Sequence, residues 1–293
     1  MIKKGIILAG GTGSRMSPLT KAVNKQLLPI YDKPLIYYPL SVLMLSGIRE
    51  ILIIVNKGQI NQFQKILPSG ENLGIKISYA EQTYPKGLPD AFQIGKNFIG
   101  KDGVVLILGD NFFYGQSFGL KLRESTKLKS GAKVFLHKVS KPEQYGVAKI
   151  NKNKKIIKIV EKPKKFVSDY AITGLYFFDN KVIKLAKTLK PSKRGETEII
   201  DLLNKYKNEK KLKADFIGRG GAWLDTGSIK DFYNTSTFVS TIENRQGMKI
   251  ACIEEIAFYN KWIKRKEIQN SIKFYGNCDY SNYLKKLLIN VKF

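Results

Sequence analysis

Short runs of aliphatic residues recur along the first 110 positions, each followed by a stretch whose apolar residues return at helical spacing. Strands are predicted over 4–9, 50–55, 76–81 and 104–109, with helices between them over about 35–46, 59–67 and 88–97. Gly47 supplies a natural stop for the first helix. Because the strand runs are Ile, Val and Leu at nearly every position, both faces are expected to be buried. That is the pattern of a parallel sheet covered by helices on two sides.

The pattern changes after about residue 145. Segments 146–150 and 156–160 flank the polar stretch 151–155, which reads as a β-hairpin. A strand over 171–178, helices over 180–188 and 197–208, a strand over 212–218 and a helix starting near Ser228 follow. Beyond Gly247 the chain is mixed, aromatic and basic, with Phe258, Tyr259, Trp262, Phe274 and Tyr275. Helical packing or a subunit interface is expected there. The whole reads as an α/β fold: a doubly wound, mostly parallel Rossmann-like sheet flanked by helices, with an inserted β-hairpin region and a helical C-terminal tail. Neither an internal repeat nor a low-complexity linker divides it, so 1–248 is read as one core and 249–293 as a tail that is not an independent domain.

Composition narrows the chemistry. The 293 residues contain two cysteines, Cys252 and Cys278, and one histidine, His137, too few for a disulfide framework or a zinc site. His137 follows the apolar run 134–136 and is expected to be a strand residue, so a Ser-His-Asp mechanism is excluded. No segment reaches the roughly eighteen apolar residues of a membrane span, and the run after Lys3-Lys4 is too short for a signal peptide, which points to a cytoplasmic protein without a membrane partner. Fifty-one Lys plus Arg against 24 Asp plus Glu give a formal charge of +27. Nucleic-acid binding is one reading of that excess. The lysines, however, are scattered and mixed with Asn, as in 152–155 and 205–213, which favours solvated faces and no nucleic-acid partner. The charge would still speed encounter with phosphorylated substrates at low salt.

The first strand empties into Gly10-Gly11-Thr12-Gly13-Ser14-Arg15. Three glycines in four positions let backbone N–H groups turn around an anion, and Arg15 and Lys25 stand close by to add full charges. Two better-known phosphate loops do not fit. A P-loop needs Lys followed by Ser or Thr after its last glycine, where this chain has Ser14-Arg15, and the dinucleotide fingerprint needs a small residue where Met16 stands. In an open α/β sheet, ligands sit beyond the carboxyl ends of the strands. There the chain places Gln82 after the third strand, Asp110-Asn111 after the fourth, and Asp225 after Ala222-Trp223-Leu224. Asp110, and Asp225 if the fold brings it to the same rim, are candidate Mg²⁺ ligands; helix capping is the other use of either. Gln82 can face the N3–H and O4 of thymine or uracil, or be an exposed loop residue. Glu161-Lys162-Pro163 closes the hairpin, where Lys162 could reach a phosphate and Glu161 sugar hydroxyls, or the two could form a surface ion pair. The residues alone point to a nucleotide-phosphate enzyme using magnesium.

The stretches Gly5 to Arg15, Lys25 to Pro34 and Ile36 to Leu40, with Leu108-Gly109-Asp110-Asn111, Tyr145-Gly146-Val147, Glu161-Lys162-Pro163, Thr173-Gly174-Leu175-Tyr176 and Trp223 to Gly227, resemble the sugar-phosphate nucleotidylyltransferases. The resemblance covers about residue 2 to about 260. It implies dTTP and glucose 1-phosphate as substrates, dTDP-glucose and pyrophosphate as products, Mg²⁺ as cofactor, a place at the entry to dTDP-rhamnose and related deoxysugars, and an allosterically inhibited homotetramer. By similarity Arg15 and Lys25 hold the triphosphate in the Gly10, Gly11, Thr12, Gly13 loop. Leu8 and Gly10 line the nucleoside pocket, and Gln82 and Gly87 read the base. Asn111, Gly146, Glu161 and Thr173 contact the sugar, Lys162 its phosphate, and Asp110 and Asp225 the metal. UTP, another hexose 1-phosphate, or a basic nucleic-acid-binding role on the same fold are the alternatives. Pro89 departs from the family's usual Ala and is expected to stiffen the loop beside the base or sit in the first turn of the next helix.

Overall fold

A computed structural model describes residues 1–193 and 195–290. Four parallel strands form its centre in the order Lys76–Gln82, Glu50–Asn56, Lys4–Ala9, Val104–Leu108. The first strand therefore has a parallel neighbour on each side, reached by crossovers in opposite directions. This places the switch point of the sheet at its carboxyl end, where a crevice opens.

Next to Val104–Leu108 the sheet turns antiparallel through Tyr170–Phe178, which also pairs with Ala132–Lys138. Leu212–Phe216 adds on parallel to the latter. The hairpin of Gly146–Ile150 and Ile156–Glu161 joins the same strand through Ala171 opposite Val147. His137 is a residue of the Ala132–Lys138 strand, opposite Ala171. The sheet is thus mixed, mostly parallel at its centre, with helices on both faces.

Alternation within each buried strand divides the core in two. Ile7, Ile53, Val105, Ile107 and Phe177 point to one face, Ile6, Leu52, Ile54, Leu106 and Phe178 to the other. The second face is covered by Ala91 and Phe92, Val182 and Ala186, and the 199–206 side of the Ile199–Asn208 helix. The first face receives the Tyr37–Leu45 helix and, beyond it, Ile253, Ala257, Phe258, Ile268 and Leu284 of the tail. Tyr37–Leu45 is wedged between sheet and tail, which is why it is apolar all round and every residue from Tyr37 to Met44 is buried.

Several boundaries differ from the periodicity-based expectation. The helix expected over 59–67 is confined to Ile60–Gln64, and the one over 88–97 is broken at Gly95 into Asp90–Ile94 and Lys96–Ile99. Pro89 takes the N-cap position of the former with φ −63°, the angle its ring imposes. The helix Phe118–Thr126 and the strand Asn111–Gly115 had no clear signature, since each is short, the strand following the Gly109-Asp110 turn and the helix the Gly115-Gln116-Ser117 turn. After the long helix Ile229–Gln246 ends at Gly247, with φ 68°, three helices, Ile253–Tyr259, Arg265–Tyr275 and Asp279–Asn290, form the tail.

Candidate active site

The glycine loop leaves the first strand in the switch-point crevice, and amide side chains from three other segments hold it in place. Asn24 Nδ2 donates to the carbonyl of Ala9 at 3.1 Å, Gln82 Nε2 to that of Gly10 at 2.6 Å and Asn56 Nδ2 to that of Gly11 at 3.1 Å. Three successive carbonyls are thereby satisfied. The amides of Gly11, Thr12 and Gly13, by contrast, have no acceptor among the described residues. A loop with its carbonyls tied and its N–H groups free is preorganised for an anion. Gly13 sits at φ 60°, its carbonyl accepting from Thr20 Oγ1 at 2.8 Å, so the left-handed turn that glycine permits is also locked.

Gln82 is 6% exposed, which disposes of the exposed-loop reading. Its amide nitrogen donates to both Gly10 O and Asn56 Oδ1, the latter at 3.2 Å, so both N–H protons are used. Only Oε1 remains for a base, an acceptor matched to the N3–H of thymine or uracil. The side-by-side presentation of both amide groups expected from sequence is therefore reduced to one. Gly10 is required for this packing, because a methyl group there would overlap the Gln82 amide. Leu8 is half-buried behind the loop, its carbonyl accepting from Gly109 N at 2.9 Å.

The two candidate metal ligands do meet. The strand Gly221–Asp225 pairs antiparallel with Asn111–Gly115 so that Asp225 lies opposite Asn111, and Thr226 donates both N (3.1 Å) and Oγ1 (2.8 Å) to the carbonyl of Asp110. Neither aspartate caps a helix. Asp110 lies in the turn between two strands, and the helix after Asp225 is capped by Ser228, whose hydroxyl accepts from Asp231 N.

Lys25, only 6% exposed, donates to Asp110 Oδ2 at 2.8 Å. Burial opposes the charged form of Asp110, but the Lys25 ammonium and hydrogen bonds from Lys25 and Asn111 outweigh it and hold the carboxyl below its usual range. Asp225 goes the other way. Burial, then the neighbouring charge of Asp110, push its carboxyl up to about 6 despite Lys25 and Arg15. Two acidic groups forced apart in this manner form a site short of positive charge. An oxygen-only pair of carboxylates suits a small hard divalent cation that takes its remaining ligands from phosphate and water. Arg15 also reaches this point: a methyl group on Gly227 would lie 3.2 Å from Arg15 Nη2 and 3.1 Å from Asp225 Oδ2.

The expected sugar-side residues form a second wall. Asn111 is a bracket: Nδ2 donates to Asp110 Oδ1 at 3.0 Å, while Oδ1 accepts from Trp223 Nε1 at 2.6 Å and Gly174 N at 3.1 Å. Trp223 meets Tyr145 edge to face at 5.1 Å, and Tyr145 O accepts from Lys162 N at 3.0 Å. Lys162 is exposed in a left-handed conformation at φ 41°. The Glu161 carboxylate lies over Gly146, 3.0 Å from where a methyl group would stand. Thr173 does not present its side chain to this wall; it is fully buried and its hydroxyl donates to Phe135 O at 3.0 Å. Gly87 lies where the loop after Gln82 is stapled to Thr197, whose N and Oγ1 both donate to Lys86 O, at 2.8 and 2.9 Å.

Sequence reasoning overlooked Asn24 and Asn56, because an asparagine that holds a loop carbonyl looks like any other. It also passed over Gln26, whose Oε1 is buried without a partner beside Gly109. Its place directly after Lys25 was the available signal.

Comparison with known proteins agrees with this geometry. The family described as "Nucleotidyl transferase" matches residues 4–242. Over 285 residues the chain is 49% identical to a glucose-1-phosphate thymidylyltransferase of Neisseria meningitidis, covering 97% of this chain and 99% of the relative. It is 48% identical to the enzyme of the same name from Xanthomonas campestris, with 97% of each covered. A Bacillus anthracis protein assigned provisionally to that enzyme, solved in complex with a sucrose, superposes with TM-score 0.74 at 42% identity, covering 80% of this chain and 94% of that one. A UDP-glucose pyrophosphorylase complexed with UDP-glucose gives TM-score 0.72 at 27% identity, covering 83% and 100%.

Proposed function

The chain belongs to the nucleotidyl transferase family, and on that premise we propose that it transfers a thymidylyl group from dTTP to glucose 1-phosphate, giving dTDP-glucose and pyrophosphate. The observations that carry this reading are the loop with three free amides at the end of the first strand and the cluster of Lys25, Asp110, Asp225 and Arg15. Together they offer an anion cradle and a pair of carboxylates, and no histidine or thiol is needed.

In the reaction an oxygen of glucose 1-phosphate attacks the α-phosphorus of dTTP, and the bond from that phosphorus to the β-phosphate oxygen breaks. The attacking oxygen is already ionised at neutral pH, so no base has to remove a proton. What the protein must supply is in-line alignment of two repelling anions and neutralisation of the leaving pyrophosphate. Amides of Gly11, Thr12 and Gly13 with Arg15 and Lys25 are suited to the triphosphate, Gln82 Oε1 to the base, and Lys162 with Glu161 to the sugar phosphate and its hydroxyls. Asp110 and Asp225 would hold Mg²⁺, which when bound supplies charge neutralisation at the phosphates. A single displacement is expected. dTTP made chiral at the α-phosphorus by thio substitution should give product with inverted configuration, and retention would require a covalent enzyme intermediate and rule the proposal out.

Lys162→Ala should raise KM for glucose 1-phosphate about 10–100-fold through loss of a charge-assisted hydrogen bond, with KM for dTTP within about threefold of wild type. Equal rises for both substrates would count against its place on the sugar side. Gln82 Oε1 fits uracil as well as thymine, so preference for dTTP over UTP should rest on the thymine methyl and stay within about 10–200-fold in kcat/KM. A competition assay with both nucleotides measures it.

Homotetrameric assembly and a place ahead of deoxysugar synthesis accompany the proposal. Tyr259 and Ile289, exposed on tail helices at 60% and 74%, support a subunit contact there. Among the described residues no helix is long and apolar enough to cross a membrane, in keeping with small soluble substrates.

A further inference from the structure

Asn56 and Gln82 stand opposite each other at the carboxyl ends of two neighbouring parallel strands. Both are amides, and an amide offers an acceptor or a donor according to which way it is turned. Main-chain carbonyls decide the turn of both. The carbonyl of Gly11 can only accept, so the atom that Asn56 sets against it, at 3.1 Å, is Nδ2. Asn56 Oδ1 therefore faces Gln82 Nε2 at 3.2 Å, and the other Nε2 proton goes to the carbonyl of Gly10 at 2.6 Å. Turned over, Gln82 would press its oxygen against two acceptors at once.

The turn that carries Asn56 is itself held. Lys57 N donates to Gln82 O at 3.2 Å, Gly58 N to Glu81 Oε1 at 2.8 Å and Gln59 N to Asn56 O at 3.1 Å. Asn24 Nδ2 adds a bond to Gln59 Oε1 at 2.6 Å. Gln82 lies flat on Gly10, where a methyl group would come within 2.3 Å of Nε2. Its orientation is thus set by neighbours that are fixed in their turn, as a selective site requires.

Pyrimidines differ where this orientation matters. Thymine and uracil carry a donor, N3–H, where cytosine carries a bare acceptor, N3. An outward Oε1 accepts from the first and meets the lone pair of the second, and a polar group left unpaired in this way discriminates strongly. Resting on the base-reading role proposed for Gln82, we infer that Asn56 is a specificity-determining positioning residue, which makes the site select thymine or uracil over cytosine. By taking the second Nε2 proton it leaves Oε1 as the one group of Gln82 open to a base. Without Asn56 Oδ1 that proton is released, and Gln82 can donate to cytosine N3. The same side chain ties the carbonyl of Gly11, so it joins base selection to the phosphate loop.

Calorimetric titration with dTTP, dUTP and dCTP in Mg²⁺, without sugar phosphate, tests this through binding alone. The wild-type protein should prefer dTTP to dCTP about 10–100-fold. Asn56→Ala should reduce that ratio to below about fivefold and leave the dTTP:dUTP ratio unchanged, since the methyl group is read elsewhere. Asn56→Leu carries the same expectation with more of the side-chain volume kept, should the smaller residue fail to fold. Asn56→Asp keeps an acceptor for Gln82 but loses the donor to Gly11. Its added charge should weaken all three nucleotides together, with the dTTP:dCTP ratio within about twofold of wild type. A merely structural role would weaken the three alike in every variant. An unaltered dTTP:dCTP ratio in Asn56→Ala and Asn56→Leu, an equal fall in Asn56→Asp, or no wild-type preference would each overturn the inference. Formation of dTDP-glucose by the same wild-type sample separates the two claims. Selective binding of dTTP without product would refute the transfer reaction alone, and product with unaltered ratios in the variants would refute the role of Asn56 alone.

Discussion

Asp110→Asn is expected to lower kcat by about a thousandfold or more while leaving the protein folded. Asp110 is the residue on which the two halves of the site converge. Its side chain accepts from Lys25 and Asn111, and its carbonyl is held by Thr226, so its position is fixed from both sides. The amide replacement keeps the shape and those backbone contacts. What it removes is one of the two carboxylates suited to the metal, together with the partner of a buried ammonium. Two electrostatic changes then oppose each other. Lys25 loses its counter-charge, which costs stability, while Asp225 loses the neighbour that helps push its carboxyl up to about 6, which regains some. Stability should therefore change far less than activity. Initial rates of pyrophosphate release, with a thermal melt on the same sample, separate the two; proportionate loss of both would make Asp110 a structural residue.

Gly87→Ala should raise KM for dTTP about a hundredfold, the second large effect expected. Gly87 has φ 104°, a conformation that side chains rarely adopt, and a methyl group there would fall on the carbonyl oxygen of Thr197. That neighbour is backbone, stapled in turn to Lys86 O, so it cannot swing aside as a flexible side chain would. Backbone strain of about 2–3 kcal/mol would be relieved by displacing the loop between Gln82 and Pro89 from the base. Gly11→Ala is the matching control, since no atom lies within 4 Å of where its methyl would stand and its φ is not positive. Saturation kinetics for dTTP should tell them apart, with Gly11→Ala much the milder; equal effects would mean that the Thr197 clasp does not set the loop.

Much of the fold could be read along the chain because its central strands are buried on both faces and so appear as uninterrupted aliphatic runs. Lys4–Ala9, Glu50–Asn56, Lys76–Gln82 and Val104–Leu108 lie within a residue of where that pattern puts them. The ends of those strands in turn identify Gln82 and Asp110. What joins the site across the chain was not readable. The pairing of Asn111–Gly115 with Gly221–Asp225 spans more than a hundred residues, and it is this pairing that brings Asp225 to Asp110. Asn24 and Asn56 act through single hydrogen bonds to loop carbonyls, which leave no periodic trace. The sequence likewise offered no sign that Gln82 would use both amide protons internally, or that the Thr173 hydroxyl would turn toward Phe135. Such assignments depend on which of several nearby acceptors the packing brings within reach.

The most direct test is product analysis of the purified protein with Mg²⁺, a panel of nucleoside triphosphates and a panel of hexose 1-phosphates. The structure's free-amide loop, paired aspartates and single outward carbonyl of Gln82 predict dTDP-glucose and stoichiometric pyrophosphate from dTTP and glucose 1-phosphate, with UTP second and ATP and GTP far behind. No sugar nucleotide from any pair, or a preference for a purine triphosphate, would contradict the account.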